Sequence, residues 1–141
     1  MPKTSLPVRH LYKLSLEMDG PPTTISAGPQ GTRILVGAST GKFEGERLQG
    51  TVVAPGGDWV TQRADGSMKL DVRIPLLTDD GATILVSYSG IGLVKDGALT
   101  TRCAPLFETG DERYAWLNNV QAVGVGGVSG TTVEYDIYEL L

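Results

Sequence analysis

Hydrophobic and polar positions alternate with a period of two along much of this chain. In MKLDVRIPL, residues 68–76, Leu70, Val72 and Ile74 share one face while Asp71 and Arg73 share the other. In TTVEYDIYEL, residues 131–140, Val133, Tyr135 and Ile137 oppose Glu134, Asp136 and Tyr138. In HLYKLSLEM, residues 10–18, Tyr12, Leu14 and Leu16 oppose Leu11, Lys13 and Ser15. A period of two places one face of a strand on a core and the other towards solvent. No window keeps apolar residues at helical spacing for three turns. The nearest helical stretch, DERYAWLNN at 111–119, is short and runs straight into a β-like segment.

Turn chemistry punctuates the pattern about every ten residues. The turns are DGPP at 19–22, GPQG at 28–31, PGG at 55–57, ADG at 64–66, DDG at 79–81, KDG at 95–97 and TGD at 109–111. The runs between them predict strands at 9–17, 32–38, 46–54, 58–63, 67–76, 82–90, 98–107, 113–125 and 131–139. ADG and DDG read as hairpin turns. Pro75, inside a long run, predicts an edge strand or a bulge, because proline cannot donate to a ladder. No linker, repeat or composition break divides the chain, so one domain over residues 1–141 is expected. The fold class is all-β. Closing the sheet removes the edges that so many strands must otherwise protect. The expected architecture is therefore a closed or nearly closed antiparallel β-barrel of about eight strands, wide enough for one small ligand in a central cavity.

Composition narrows the partners. Net charge is −4 and lysine and arginine are scattered, so the basic face that nucleic acid or an anionic membrane requires is missing. No run approaches the roughly 20 apolar residues of a membrane span. The first residues, MPKTSLPVRHLYKL, lack the apolar core and cleavage site of a secretory leader. The single cysteine, Cys103, precludes an intrachain disulfide. These features predict a cytoplasmic protein. The 19 glycines mark turns and bulges.

Three ordered stretches carry a family resemblance. They are GKFEGERLQGTVVAPGGDWV at 41–60, RADGSMKLDVRIPLLTDDGATILVSYSGI at 63–91 and FETGDERYAWLNNVQAVGVG at 107–126, followed by a closing strand, VEYDIYEL. Together they resemble the domain-of-unknown-function 3237 family of small β-barrel proteins, of the UPF0311 type, over nearly the whole chain. The resemblance implies a lipocalin-like or allene-oxide-cyclase-like barrel with a central cavity, and no agreed reaction. Before the FETG motif, relatives often carry a Tyr-Phe-Arg-type segment. This chain departs from it, reading Thr100-Thr101-Arg102-Cys103-Ala104-Pro105-Leu106, in which Arg102 is the polar member that remains.

The usual enzyme signatures are missing: no nucleophile elbow, phosphate loop, dinucleotide fingerprint or H-E-x-x-H. With His10 as the only histidine, histidine triads and histidine-rich metal sites fail on count. No metal and no cofactor are expected. Asp79-Asp80-Gly81 lacks the further oxygen ligands of a calcium loop and reads as a turn. Cys103, with no histidine in a motif beside it, reads as a small core residue.

The candidate chemistry lies in carboxylates, phenols and guanidinium groups. Asp58 follows the PGG turn and precedes Trp59. It is either a general base whose pKa is raised by partial burial, or a turn cap beneath a plugging indole. Asp71 and Arg73 form either a charged pair inside the cavity or a solvent-facing pair, since the pattern alone does not say which face is in. Tyr114, Trp116 and Asn118, at one parity of an expected strand, form either a ligand wall or ordinary core. Arg33, at the parity of Leu35, binds a ligand oxygen or an internal carboxylate at Asp58, Asp71 or Glu108. Tyr88, between Ser87 and Ser89, donates to an oxyanion or packs at the rim. Glu108 reads as a turn or rim carboxylate.

Two functions follow. One is a cofactor-free isomerase, cyclase or lyase acting on a small, mostly apolar or aromatic oxygenated metabolite. In it Asp58, Asp71 and Tyr114 act in catalysis, and Arg33, Trp59, Arg73, Tyr88, Trp116 and Asn118 hold the ligand. The other is a non-catalytic carrier or sensor barrel, which needs only the cavity and a polar anchor. A homo-oligomer is a further expectation, with the glycine-rich run Gln121–Thr131 facing a partner copy.

Overall fold

A computed structural model describes residues 1–141. The alternating segments form the long strands: β1 (Val8–Glu17), β7 (Met68–Thr78), β8 (Thr83–Lys95) and β12 (Thr132–Leu140). Shorter strands complete the set in chain order: β2 (Thr23–Gly28), β3 (Gly31–Gly37), β4 (Thr40–Glu44), β5 (Gln49–Val52), β6 (Gly57–Gln62), β9 (Ala98–Cys103), β10 (Leu106–Glu108) and β11 (Ala122–Ser129). Every pairing is antiparallel. Eight strands close a ring in the order β8-β9-β11-β12-β1-β4-β5-β7, and the β7–β8 ladder shuts it.

Two short branches leave the ring. β10 pairs with Leu85–Ser87 of β8, beyond the end of β9. A wing of β6, β3 and β2 leaves β7 at its N-terminal half. β7 thus changes neighbours along its length, pairing with β6 through Met68–Arg73 and with β5 through Leu76–Thr78. Pro75 falls at that hand-over, where no ladder bond needs its missing N–H, and its carbonyl still accepts from Val53 N at 3.1 Å. This corrects the expectation of an edge strand or bulge.

The apolar face of each long strand points inward. Leu70, Val72, Ile74 and Leu76 on β7 are buried, as are Ile84, Val86 and Tyr88 on β8. Tyr12, Phe43 and Phe107 pack edge to face, at 5.8 and 6.2 Å between centroids, with Leu48, Leu117 and Ile137 completely enclosed around them. Burying such side chains drives closure at roughly 1.5–3 kcal/mol each. The KDG turn joins β8 to β9 with both Asp96 (φ 53°) and Gly97 (φ 79°) in the left-handed region. Positive φ at both central residues is what a type I′ hairpin turn requires.

Four sequence expectations differ from the fold. The strand predicted at 46–54 is a loop followed by the short β5, while β2 and β4 were not predicted. The run 98–107 is broken at Ala104–Pro105 into β9 and β10. The strand predicted at 113–125 begins instead as a 3-10 helix, Glu112–Asn119. Asp111 caps that helix by accepting from Arg113 N at 2.9 Å, and Leu117 anchors it in the core. The glycine run is also internal in part. Gly124 and Gly126 stand opposite Ile137 and Tyr135, whose side chains lie over the space that two Cβ atoms would fill.

No helix is long and apolar enough to cross a membrane.

Candidate functional site

Where β7 hands over to the wing, the barrel interior is not filled. An interior cavity of about 210 Å³ opens there. Fourteen of its sixteen lining residues are hydrophobic, among them Leu16, Ile34, Val60, Leu70 and Val72. The polar groups are few: the Asp58 carboxyl, the Thr101 hydroxyl and the phenols of Tyr88 and Tyr135. An apolar cavity of roughly 150 Å³ holds benzene, so this one suits a molecule of one or two rings.

Asp58 reaches the interior because its strand alternates there, with Val60 on the same inner face and Trp59 between them pointing out. The β6–β7 ladder pairs Asp58 with Val72 and resumes at Thr61–Lys69. In the gap, Asp71 N donates to Asp58 Oδ1 at 3.1 Å instead of to a backbone carbonyl. Burial pushes the Asp58 carboxyl up to about 6, against the lowering effect of that N–H; the Asp71 charge raises it further.

Tyr88 and Tyr135 are 5% and 2% exposed, with ring centroids 5.6 Å apart in edge-to-face contact. Burial is the main force raising both phenols above their ordinary value, so both stay protonated donors at any physiological pH. Thr101 is 2% exposed, and its Oγ1 has no hydrogen-bond partner. It lies close enough to the Tyr135 phenol to counter part of that rise, without making a bond of good geometry. A buried, unpaired hydroxyl costs about 1–3 kcal/mol. Thr101→Val, which keeps the shape and removes that hydroxyl, is therefore expected to raise stability by about 1–2 kcal/mol. Urea denaturation of the two proteins checks this.

The other sequence candidates lie outside the cavity. Asp71 and Arg73 are on the outer face of β7, because the apolar face is the inner one; Asp71 meets the site only through its backbone N–H. Trp59 is 42% exposed on the outside of β6. Arg33 sits on the outer parity of β3, opposite Thr61, and makes no ion pair; its Nε is buried without a partner.

Tyr114, Trp116 and Asn118 do not share a strand face, because their segment is the 3-10 helix. Tyr114 OH donates to both Asp80 carboxyl oxygens at 2.9 Å. Asp80 sits beyond the C-terminal end of β7, whereas the cavity residues of that strand are Met68, Leu70 and Val72. Six residues of strand from Val72 to Thr78 cover roughly 20 Å, so Tyr114 belongs to the other end of the barrel. Trp116 lies under the Arg47 guanidinium at 4.1 Å, and Arg47 pairs with Glu139 at 2.6 Å. Asn118 braces Thr109 twice, accepting from its N at 2.8 Å and donating to its O at 3.0 Å. Glu108 is exposed. Cys103 is buried, and burial pushes its thiol up to about 12, so it stays an unreactive thiol. His10 pairs with Asp136 on the surface at 3.0 Å.

Of the expected site residues, then, the structure brings Asp58 and Tyr88 together and leaves the others outside. Thr101 and Tyr135 complete the set, and sequence reasoning missed both. The signal for Tyr135 was its place on the apolar face of β12, between Val133 and Ile137. Thr101 carried no signal. A larger groove, about 370 Å³, crosses the outside of β9, β11 and β12 and shares Leu99, Val128 and Tyr135 with the cavity. It is more open to solvent and more polar than the interior cavity, so the smaller and more apolar cavity is the better place for chemistry.

The profile of the family described as "protein of unknown function (DUF3237)" matches residues 6–140. The chain belongs to this family. A relative from Penicillium herquei, named hydroalkoxylation enzyme phnH, is 39% identical over 84 residues, which are 60% of this chain and 50% of that protein. The match thus spans about half of that relative's length. Among solved structures, a β-barrel-like protein from Acinetobacter baumannii superposes with a TM-score of 0.91 at 27% identity, covering 99% of each chain. An enzyme from Penicillium herquei superposes with a TM-score of 0.79 at 28% identity, covering 100% of this chain and 98% of that one. The β-barrel fold is shared with these solved structures.

Proposed function

We propose that this chain is a cyclase- or lyase-type enzyme that works by acid–base chemistry, without a cofactor, on a small, mostly apolar oxygenated molecule held in the barrel. One observation carries the reading. Asp58 is the only ionisable carboxyl in an otherwise apolar cavity, is raised to about 6, and shares that cavity with two buried phenols. A titratable group perturbed by burial inside a cleft is a candidate functional group. A structural neighbour described as an enzyme and a relative named for hydroalkoxylation, the addition of an alcohol O–H across a C=C bond, support the same class.

The geometry suits a redox-neutral addition. In it the Asp58 carboxylate takes the proton of a substrate hydroxyl. The oxygen forms a bond to the β carbon of an alkene conjugated to a carbonyl; the C=C pair shifts to form the enolate C=C bond, and the carbonyl π pair moves onto the carbonyl oxygen. Tyr88 and Tyr135 donate to that oxyanion. The proton then returns from Asp58 to the neighbouring carbon as the carbonyl re-forms. Every atom is retained, and the reverse steps make an elimination. Fourteen hydrophobic residues among the sixteen that line the cavity give the intermediate a mostly apolar surrounding.

The test is to incubate the protein with small one-ring hydroxy-enones and to follow ring closure by chromatography and NMR, since the mass is unchanged. Because the carboxylate is the active form, kcat/KM is expected to rise tenfold per pH unit below about 6 and to level off above it. A profile that falls through that range would show that Asp58 does not act as the base.

The apolar lining also favours a second reading, a carrier that binds and releases such a ligand unchanged. Any converted product excludes it.

A further inference from the structure

The polar groups of the cavity divide into two kinds. Asp58 is the acceptor, on β6. Thr101, Tyr88 and Tyr135 are donors, on β9, β8 and β12. The Thr101 hydroxyl stands out because it is buried, lines the cavity and has no partner in the protein. Its neighbours across both ladders are glycines, Gly126 on β11 and Gly92 on β8. With no side chain on either flank, the adjoining strands place no acceptor of their own beside the hydroxyl, and the Tyr135 phenol on β12 is the polar group near it. Buried polar groups are ordinarily satisfied, so an orphan facing a cavity signals a missing acceptor. No Lys, Arg or His lines the cavity. A carboxylate or phosphate would meet no counter-charge there and would be repelled by Asp58 once that group ionises.

We propose that Thr101, with the phenols of Tyr88 and Tyr135, forms a donor cluster that binds the carbonyl oxygen of a neutral one- or two-ring ketone. The cluster thereby selects neutral carbonyl substrates over anionic ones and over hydrocarbons of the same shape. This deepens the acid–base reading and rests on it for the identity of the reaction, but its binding test does not need turnover.

The intact protein is titrated with 1-indanone, indane and benzoate, and dissociation constants are read from amide shifts in NMR spectra. 1-Indanone is expected to bind at least about tenfold more tightly than indane, the worth of satisfying one buried donor, and benzoate more weakly than either. In Thr101→Val the preference for indanone is expected to shrink to about twofold, with indane affinity unchanged. Tyr135→Phe supplies a second variant, in which the preference is expected to fall as well. Equal affinity of indanone and indane, no binding of either, tighter binding of benzoate, or a preference that survives in both variants would each overturn the proposal.

The two readings fail separately. Loss of the ketone preference with a persistent Asp58-dependent turnover removes the anchor and keeps the base. A ketone preference with turnover untouched by Asp58→Asn keeps the anchor and removes the base.

Discussion

Asp58→Asn is expected to lower turnover by about 10²–10⁴, the usual worth of a positioned acid or base, while making the folded protein more stable above pH 6. The two effects have one cause. Burial in the cavity raises the carboxyl from its ordinary 3.8 to about 6. The folded state therefore holds that proton more tightly than the unfolded chain does. A raised carboxyl contributes its full share of stability below pH about 4 and loses it as pH rises through about 6. At pH 8 the ionised carboxylate costs the fold about 2–3 kcal/mol. Asparagine has no charge to desolvate, and its amide oxygen can still accept the Asp71 N–H. The variant should melt roughly 10 °C higher at pH 8 and close to the parent at pH 4. A residue that weakens the fold at working pH and is needed for activity matches the trade between stability and function at active sites. Thermal melts at the two pH values, beside the turnover assay, check both halves. Equal melting at pH 8 would show that the carboxylate is solvated.

The second large effect falls on Gly126. This residue pairs with Tyr135 on one side and with Thr101 on the other. A Cβ there would lie 2.1 Å from the Glu134 backbone carbonyl and 2.7 Å from the Tyr135 ring. Neither can yield cheaply, because one is ladder backbone and the other is a fully packed aromatic. Gly126→Ala is therefore expected to cost about 3 kcal/mol, roughly 10 °C in Tm, and to displace Tyr135 from the cavity wall. Gly110→Ala is the control. Nothing lies within 4 Å of its Cβ position, so a change of under about 0.5 kcal/mol is expected. Differential scanning calorimetry of both variants checks the contrast.

How much of this was legible in the sequence varies with the physics of each segment. The long strands were readable because Leu70, Val72 and Ile74, or Val133, Tyr135 and Ile137, repeat at the pleat period against charged neighbours. The barrel followed from their number and turn spacing. The 3-10 helix was not readable, because its one fully buried residue, Leu117, gives no amphipathic period and its aromatic composition suits a strand. β2 escaped detection since none of its residues is buried, so burial left no pattern in it. The direction of the faces was open for Asp71 and Arg73. It is settled by the cavity being apolar, which puts the apolar side of β7 inward. Asp58 could be picked out because a carboxylate follows the PGG turn, yet only the shared parity with Val60 turns it inward. Thr101 was invisible because its importance comes from what faces it: two glycines that are distant in sequence and adjacent only once the β8–β9–β11 register is set.

The measurement that bears most directly on the central claim is the titration of the Asp58 side-chain carbon by ¹³C NMR, with Asp58→Asn to assign the signal. A midpoint near 6 is the result expected of a lone, buried carboxyl in a mostly apolar cavity. A midpoint near the ordinary 3.8 would mean that water reaches the group freely, and the cavity would then contain no base poised for chemistry.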